Sequence, residues 1–288
     1  MHVVVLAARE GWHTAELTRA IEARGCRATL RPYESLVARL GTTAPPFPLD
    51  ADTVLARIIP SGSLEQIIYR VDALHAIEDS GVRVVNSARA IERTVDKFYT
   101  STLLQRAGLA TPETVVCERS DDAMAAFRTL GDVIVKPLFG SMGLGMVRVT
   151  DEEMAYRVFR AIDVVRGIYY LQRTIDHGGR DIRAFVVGDR VVGAIERGAQ
   201  PNGPVWRTNF SRGGTVRAIE LSREVSAMAI RAARAVDAEY AGVDLLPARD
   251  GTVYALEVNG IPGWEGMQRA TGVDIAGAIV DHVVGRRP

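Results

Sequence analysis

Residues 242–259 run GVDLLPARDGTVYALEVN. Two apolar runs flank Asp250–Gly251, a dipeptide that favours a two-residue hairpin turn because its central positions tolerate positive φ. A hairpin folded there brings Asp244 near Glu257. Glu257 and Asn259 stand two apart, so on a strand their side chains leave the same face. Two carboxylates and an amide oxygen form an all-oxygen set, which suits Mg²⁺ or Mn²⁺ and not zinc. The alternative is ordinary strand-end polarity. Against it, both carboxylates lie inside apolar runs, where an unpaired charge is costly to bury.

Upstream, DVIVKPL (132–138) reads as a strand carrying Lys136 near its end. A lysine there can grip a phosphate as a point charge or snorkel to solvent. Gly140-Ser141-Met142-Gly143-Leu144-Gly145 follows. Its glycines allow backbone N–H groups to approach phosphate oxygens, and a plain flexible turn is the other reading. It lacks the GK[ST] ending of a Walker A loop. A strand follows it, and not the helix of a dinucleotide-binding fingerprint. Arg180, Arg183, Arg197, Arg207 and Arg212 gather in one region, a pattern that fits anionic ligands or a solvated basic face.

The remainder alternates strands and helices, as expected of an α/β layer followed by α+β units. Residues 1–95 hold strands expected at 2–7, 27–30, 53–59 and 82–85, with helices at 13–24 and 64–79. Residues 96–170 hold a helix at 96–107, strands at 113–117, 132–138 and 146–149, and helices at 120–130 and 151–162. Residues 171–288 open within a strand at 168–175. They continue with a hairpin turned at Gly188–Asp189 and a helix from Ser222 to Ala238. The 242–259 hairpin and a helix at 274–284 follow.

Lys+Arg and Asp+Glu both total 35, so the chain lacks the basic excess of a nucleic-acid binder. No stretch approaches the roughly 20 apolar residues of a membrane span, and no signal segment is evident; a cytoplasmic location is expected. Cys26 and Cys117 have no CxxC partner and read as buried thiols. His2, His13, His75, His177 and His282 lack metal spacing, and no GxSxG occurs.

Taken in this order, the residues resemble the ATP-grasp superfamily, and within it the RimK-like α-L-glutamate ligases. The matching segments are DKFYTSTLLQRAGLATPET (96–114), VIVKPLFGSMGLGMV (133–147), DIRAFVVGDRVVGAIER (181–197), RTNFSRGG (207–214), AGVDLL (241–246), LEVNGIPGWEG (256–266) and TGVDIAG (271–277). The resemblance implies an ATP-grasp fold behind a small N-terminal α/β domain, with ATP between two α+β subdomains. Lys97 and Lys136 would hold phosphates, with Gly140, Ser141, Met142 and Gly143 folding over them. Gln172-Arg173-Thr174-Ile175 would be the hinge, its backbone near Arg173 and Thr174 meeting adenine. Asp181 would face the ribose, and Arg207 and Asn209 the phosphates. Asp244, Glu257 and Asn259 would bind two Mg²⁺ or Mn²⁺ ions. Arg197 would stabilise the transferred phosphoryl group, and Arg183, Arg212 and Gly260 would meet substrate. Two departures stand out: the hinge lacks the acid of Gln-Glu-Tyr-Ile, and Asn-Gly-Ile-Pro-Gly replaces Asn-Ala-Ser-Pro-Gly.

The implied reaction joins a carboxylate to an amine through an acyl phosphate. Within the family the segment around 88–118 is most similar to ligases that add L-glutamate to one-carbon cofactors such as tetrahydromethanopterin. A glutamate–tyrosine ligase of methylofuran biosynthesis, a ribosomal-protein glutamate ligase, an ATP-grasp kinase and a non-catalytic ATP-binding regulator are the other readings. A homo-oligomer is expected from the family.

Overall fold

The computed structural model describes residues 1–140, 143–199 and 215–285. The first sheet is parallel, in the order β2-β1-β3-β4: β1 (His2–Ala7), β2 (Arg27–Pro32), β3 (Thr53–Ala56) and β4 (Arg83–Val85). Both its faces are covered, which is why β1 and β3 read as unbroken apolar runs. Leu17, Ala20 and Ile21 of α1 (Trp12–Glu22) pack with Val3 and Val5. Ala73, Leu74 and Ile77 of α2 (Leu64–Asp79) pack with Val4 and Leu6 on the other face. A reciprocal cap starts α2, with Ser63 Oγ accepting from the Gln66 N–H and Gln66 Oε1 from the Ser63 N–H.

The helix expected at 96–107 is preceded by another, α3 (Ala88–Val95); α4 spans Lys97–Arg106. Asp96 separates them in an extended conformation, and its Oδ1 accepts the Tyr99 N–H at 2.9 Å. That cap fixes where α4 begins and hence where Lys97 points.

The second sheet is antiparallel, in the order β5-β8-β6-β7: β5 (Thr114–Cys117), β6 (Val133–Lys136), β7 (Val147–Val149) and β8 (Tyr169–Arg173). The strand expected to open the C-terminal segment at 171 instead lies in the middle of this sheet, because β8 pairs with both β5 and β6. α5 (Ser120–Leu130) and α6 (Glu152–Val164) cover one face, where Phe127 and Phe159 meet Val133, Val135, Tyr169 and Leu171. The opposite face carries Thr114, Lys136, Tyr170 and Gln172, set by the two-residue alternation of side chains.

The third sheet is antiparallel, in the order β11-β10-β9-β12-β13: β9 (Arg180–Val187), β10 (Arg190–Gly198), β11 (Thr215–Ala218), β12 (Tyr240–Pro247) and β13 (Val253–Asn259). Ala229, Ala232 and Ala233 of α7 (Arg223–Ala235) pack on Ala184, Val186, Val243 and Leu245. On the other face, Phe185, Val187, Ile195 and Tyr240 share a core with Val3, Val5 and Leu55 of the first sheet. α8 (Glu265–Thr271) and α9 (Ile275–Gly285) close that core through Met267, Ile275 and Ile279. Among the described residues no helix is long and apolar enough to cross a membrane. Cys26 and Cys117, expected to be buried, are half-buried free thiols.

Candidate active site

The hairpin read from residues 242–259 forms with Asp244 opposite Glu257 and Gly242 opposite Asn259. The register shifts between Asp244 and Leu245. This bulge lets Ala255 and Val258 both face α7 while Glu257 and Asn259 face the other way. That other face also bears Phe185 and Ile195, so it is apolar where the first sheet covers it and polar beyond. In β9 the alternation puts Asp181 and Arg183 on the face of Phe185, and in β10 Arg197 on that of Ile195.

These charges pair across strands. Arg183 donates from Nε to Asp244 Oδ1 and from Nη2 to Oδ2, both at 2.7 Å. Arg197 Nη2 lies 3.1 Å from Asp244 Oδ2. Arg197 also donates from Nε and Nη2 to the two oxygens of Asp181, at 2.6 and 2.8 Å. Two carboxylates and two guanidiniums thus alternate through a buried network. Burial alone would raise the Asp244 pKa, but Arg183 and Arg197 outweigh it and hold it at about 2. Burial opposes charge on Arg197, and Asp244 and Asp181 more than offset it.

Two lysines face this network. Lys136 donates from Nζ to Gln172 Oε1 at 2.5 Å and stands 5.9 Å from the centre of the Tyr170 ring. Burial lowers its pKa to about 8, opposed by Glu257 and Asp244 and assisted by Lys97. Lys97 donates to the carbonyl of Gly140 at 2.6 Å, at the root of the glycine loop. Its pKa is also lowered by burial and supported by Glu257. Lys136 of the second sheet and Lys97 of α4 thus both lie within electrostatic reach of Glu257 on the third sheet.

The donor set fits a hard cation. Among the described residues no three His, Cys, Asp or Glu side chains converge on one point, and the candidate set is two carboxylates and an amide. A carboxylate offers about four lone-pair sites. The arginine contacts occupy three on Asp244, leaving one. Asn259 Oδ1 accepts the Ile261 N–H at 2.9 Å and keeps one. The Glu257 side chain has no hydrogen-bond partner among the described residues, so it is the uncommitted carboxylate of the set.

The other expected residues are placed as follows. Gly140 and Gly143 have φ of 133° and 67°, backbone that suits glycine. Ser141, Met142, Arg207, Asn209 and Arg212 lie outside the described residues. In the hinge, the Arg173 and Thr174 N–H groups are bonded to the carbonyls of Glu113 and Asp132 at 2.8 and 2.9 Å. The Arg173 side chain donates to the Glu113 carboxylate and the Leu130 carbonyl. The Ile175 N–H, the last of the expected hinge, has no backbone partner among the described residues. Gly260 packs against α3, where a Cβ would come within 2.6 Å of Thr94 Oγ1; it serves close packing.

Asn86 was missed from sequence. It is fully buried, donating from Nδ2 to the carbonyls of Tyr240 and Gly260 and accepting at Oδ1 from the Glu239 and Tyr240 N–H groups. It ties β4 to β12 and to the loop after Asn259. No local pattern marks an asparagine whose four bonds are all made to distant strands. Tyr170 was also missed; the signal for it is its two-residue spacing from Gln172, which puts both on one face of the strand.

Residues 94–283 match the RimK-like ATP-grasp domain. The chain is 34% identical over 261 residues to a tetrahydromethanopterin:alpha-L-glutamate ligase of Methanosarcina acetivorans, covering 81% of this chain and 80% of that protein. It is 32% identical over 297 residues to a probable alpha-L-glutamate ligase of Shewanella loihica, covering 98% and 95%. Among solved structures, the ATP-grasp ligase PsnB with a phosphomimetic variant of its minimal precursor, Mg and ADP superposes with a TM-score of 0.78. That match spans 98% of this chain and 97% of PsnB at 22% identity, a likeness of fold. With its opposed lysines, oxygen donors and matching segments, the chain belongs to the RimK-like ATP-grasp family and is an ATP-dependent ligase.

Proposed function

We propose that this enzyme joins the amine of L-glutamate to the carboxylate of a small one-carbon cofactor of the pterin type, using ATP and two Mg²⁺ ions. The observation that carries the reading is that Lys136 of the second sheet and Lys97 of α4 both lie within electrostatic reach of Glu257 on the third sheet, Lys136 also of Asp244. Cations for a polyphosphate and oxygen donors for its metal are brought to one place. The pterin assignment is supported by the name of the Methanosarcina relative.

In this reading Glu257, Asp244 and Asn259 would hold the metal, which would supply positive charge to offset what develops on the phosphate oxygens. Lys97 and Lys136 orient the phosphates, and Lys97 ties the glycine loop to α4 through Gly140. The acceptor carboxylate attacks the terminal phosphorus of ATP and ADP leaves, giving an acyl phosphate. The glutamate amine then attacks the acyl carbon, loses a proton and releases phosphate. Arg197, fixed by Asp181, offsets charge during the first step. The 140–145 loop keeps water from the acyl phosphate.

The acceptor class is tested by ADP release, with L-glutamate present and candidate acceptors titrated in turn. A saturable rise with tetrahydromethanopterin-type pterins supports the assignment. Flat release with every pterin, alongside turnover with another carboxylate, removes it.

A further inference from the structure

The site face of the second sheet carries a chain of hydrogen bonds in which every proton is assigned. Thr114 Oγ1 donates to the carbonyl of Pro112 at 2.8 Å. Its single proton is thereby used, so the same oxygen can only accept from Gln172 Nε2, 3.0 Å away. Ser101 Oγ donates to the carbonyl of Lys97 at 2.8 Å. The Tyr170 hydroxyl therefore donates to Ser101, at 2.9 Å, and leaves its own oxygen to accept from Gln172 Nε2 at 3.5 Å. Both amide protons of Gln172 are thus directed away from β6, and Oε1 is directed toward it. There it accepts from Lys136 Nζ. A reversed amide would set two donors against each other, and Gln172 is too buried, at 4% exposure, for water to make up the loss.

We propose that Thr114 is a positioning residue for nucleotide binding: it fixes the orientation of the Gln172 amide and, through it, the place of the Lys136 ammonium. The inference rests on the reading that Lys136 meets a nucleotide phosphate. Thr114 touches no reacting atom. It stands opposite Gln172 in the β5–β8 register, while Lys136 stands opposite Tyr170 in the β6–β8 register, so three strands are involved. The same chain ends on the Lys97 carbonyl, which links the two lysines through one network.

The test compares Thr114→Val, Thr114→Ser and Lys136→Met with the wild-type enzyme, measuring Mg·ADP affinity by calorimetry and the KM for ATP and kcat in turnover. Thr114→Val, which keeps shape and loses the hydroxyl, is expected to raise Kd and KM about tenfold, the scale of one buried hydrogen bond, and to change kcat far less. Thr114→Ser is expected to restore both to within about twofold by the same reasoning. Lys136→Met is expected to lose most nucleotide affinity. If Lys136→Met weakens binding but Thr114→Val does not, the inference falls and the nucleotide site stands. If Lys136→Met binds Mg·ADP like the wild type, the nucleotide reading falls and takes the inference with it. Failure of Thr114→Ser to rescue reduces Thr114 to a packing role and also overturns the proposal. Should Thr114→Val not fold, Thr114→Ala carries the same expectations.

Discussion

Burial pulls the Lys136 pKa from 10.5 to about 8, against the favourable charges of Glu257 and Asp244. The ammonium is therefore charged at neutral pH and loses its proton as pH rises through about 8. Mg·ADP affinity should be constant from pH 6.5 to 7.5 and weaken above about 8, and Lys136→Met should remove that upper limb. Calorimetric titrations across the range check it, and an affinity unchanged up to pH 9.5 speaks against a phosphate contact. The stability sign is separate. The folded pKa lies below the unfolded one, so the cost of burying the charge is fully present below about 8 and fades as pH rises toward 10.5. Asp244 behaves oppositely: its arginine partners hold its pKa at about 2, so its stabilising contribution is full above the ordinary carboxylate pKa and is lost as pH falls from 3.8 toward about 2. Asp244→Ala strands Arg183 and weakens the hold on Arg197. It should cost about 3 kcal/mol in denaturant unfolding, the scale of a broken buried ion pair, and abolish Mg²⁺-dependent turnover.

At the scale of elements, the 242–259 hairpin was legible because everything it needs is local: an Asp–Gly turn, two apolar runs and a two-residue alternation. The bulge at Asp244–Leu245 and the pairings of Arg183 and Arg197 were not legible. They arise from the register of β9 against β10 and β12, strands separated by up to about 60 residues, and no local pattern encodes that register. For the same reason Asp244 read as a free ligand, whereas it is shared with two arginines. The junction of α1 with α8 makes a prediction of its own. His13 Nε2 accepts the Trp264 N–H at 3.0 Å, and burial beside Arg57 lowers its pKa to about 4. The folded state thus resists protonation that the unfolded chain accepts below about 6.5. Stability contributed here is intact above that pH and declines as pH falls from 6.5 toward 4. Thermal melts of wild type and His13→Gln, which keeps an acceptor without the titration, should converge toward pH 7. They should diverge near pH 4.5, with the wild type losing more; parallel curves contradict the assignment.

Across the whole molecule, an α/β layer followed by α+β units was expected from alternating strands and helices, but how the three sheets join was not. The first and third share one core through Val3, Val5, Phe185, Tyr240 and Trp264, and Asn86 ties β4 to β12 and Gly260. The loop after Asn259 is therefore braced by the N-terminal sheet. Asn86→Ala removes four buried hydrogen bonds and should destabilise by about 3 kcal/mol or more. Cooperative unfolding of the whole chain would accompany this loss, and separate melting of the N-terminal sheet would contradict a shared core. ATP-driven amide formation at this site is tested most directly by mass spectrometry of a reaction holding ATP, Mg²⁺, L-glutamate and a pool of small carboxylates that includes pterins. ADP and free phosphate are followed alongside. The predicted result is a new mass equal to acceptor plus glutamate minus water, with ADP and free phosphate released in equal amounts. ADP formed with a phosphorylated product, and no free phosphate, would contradict it.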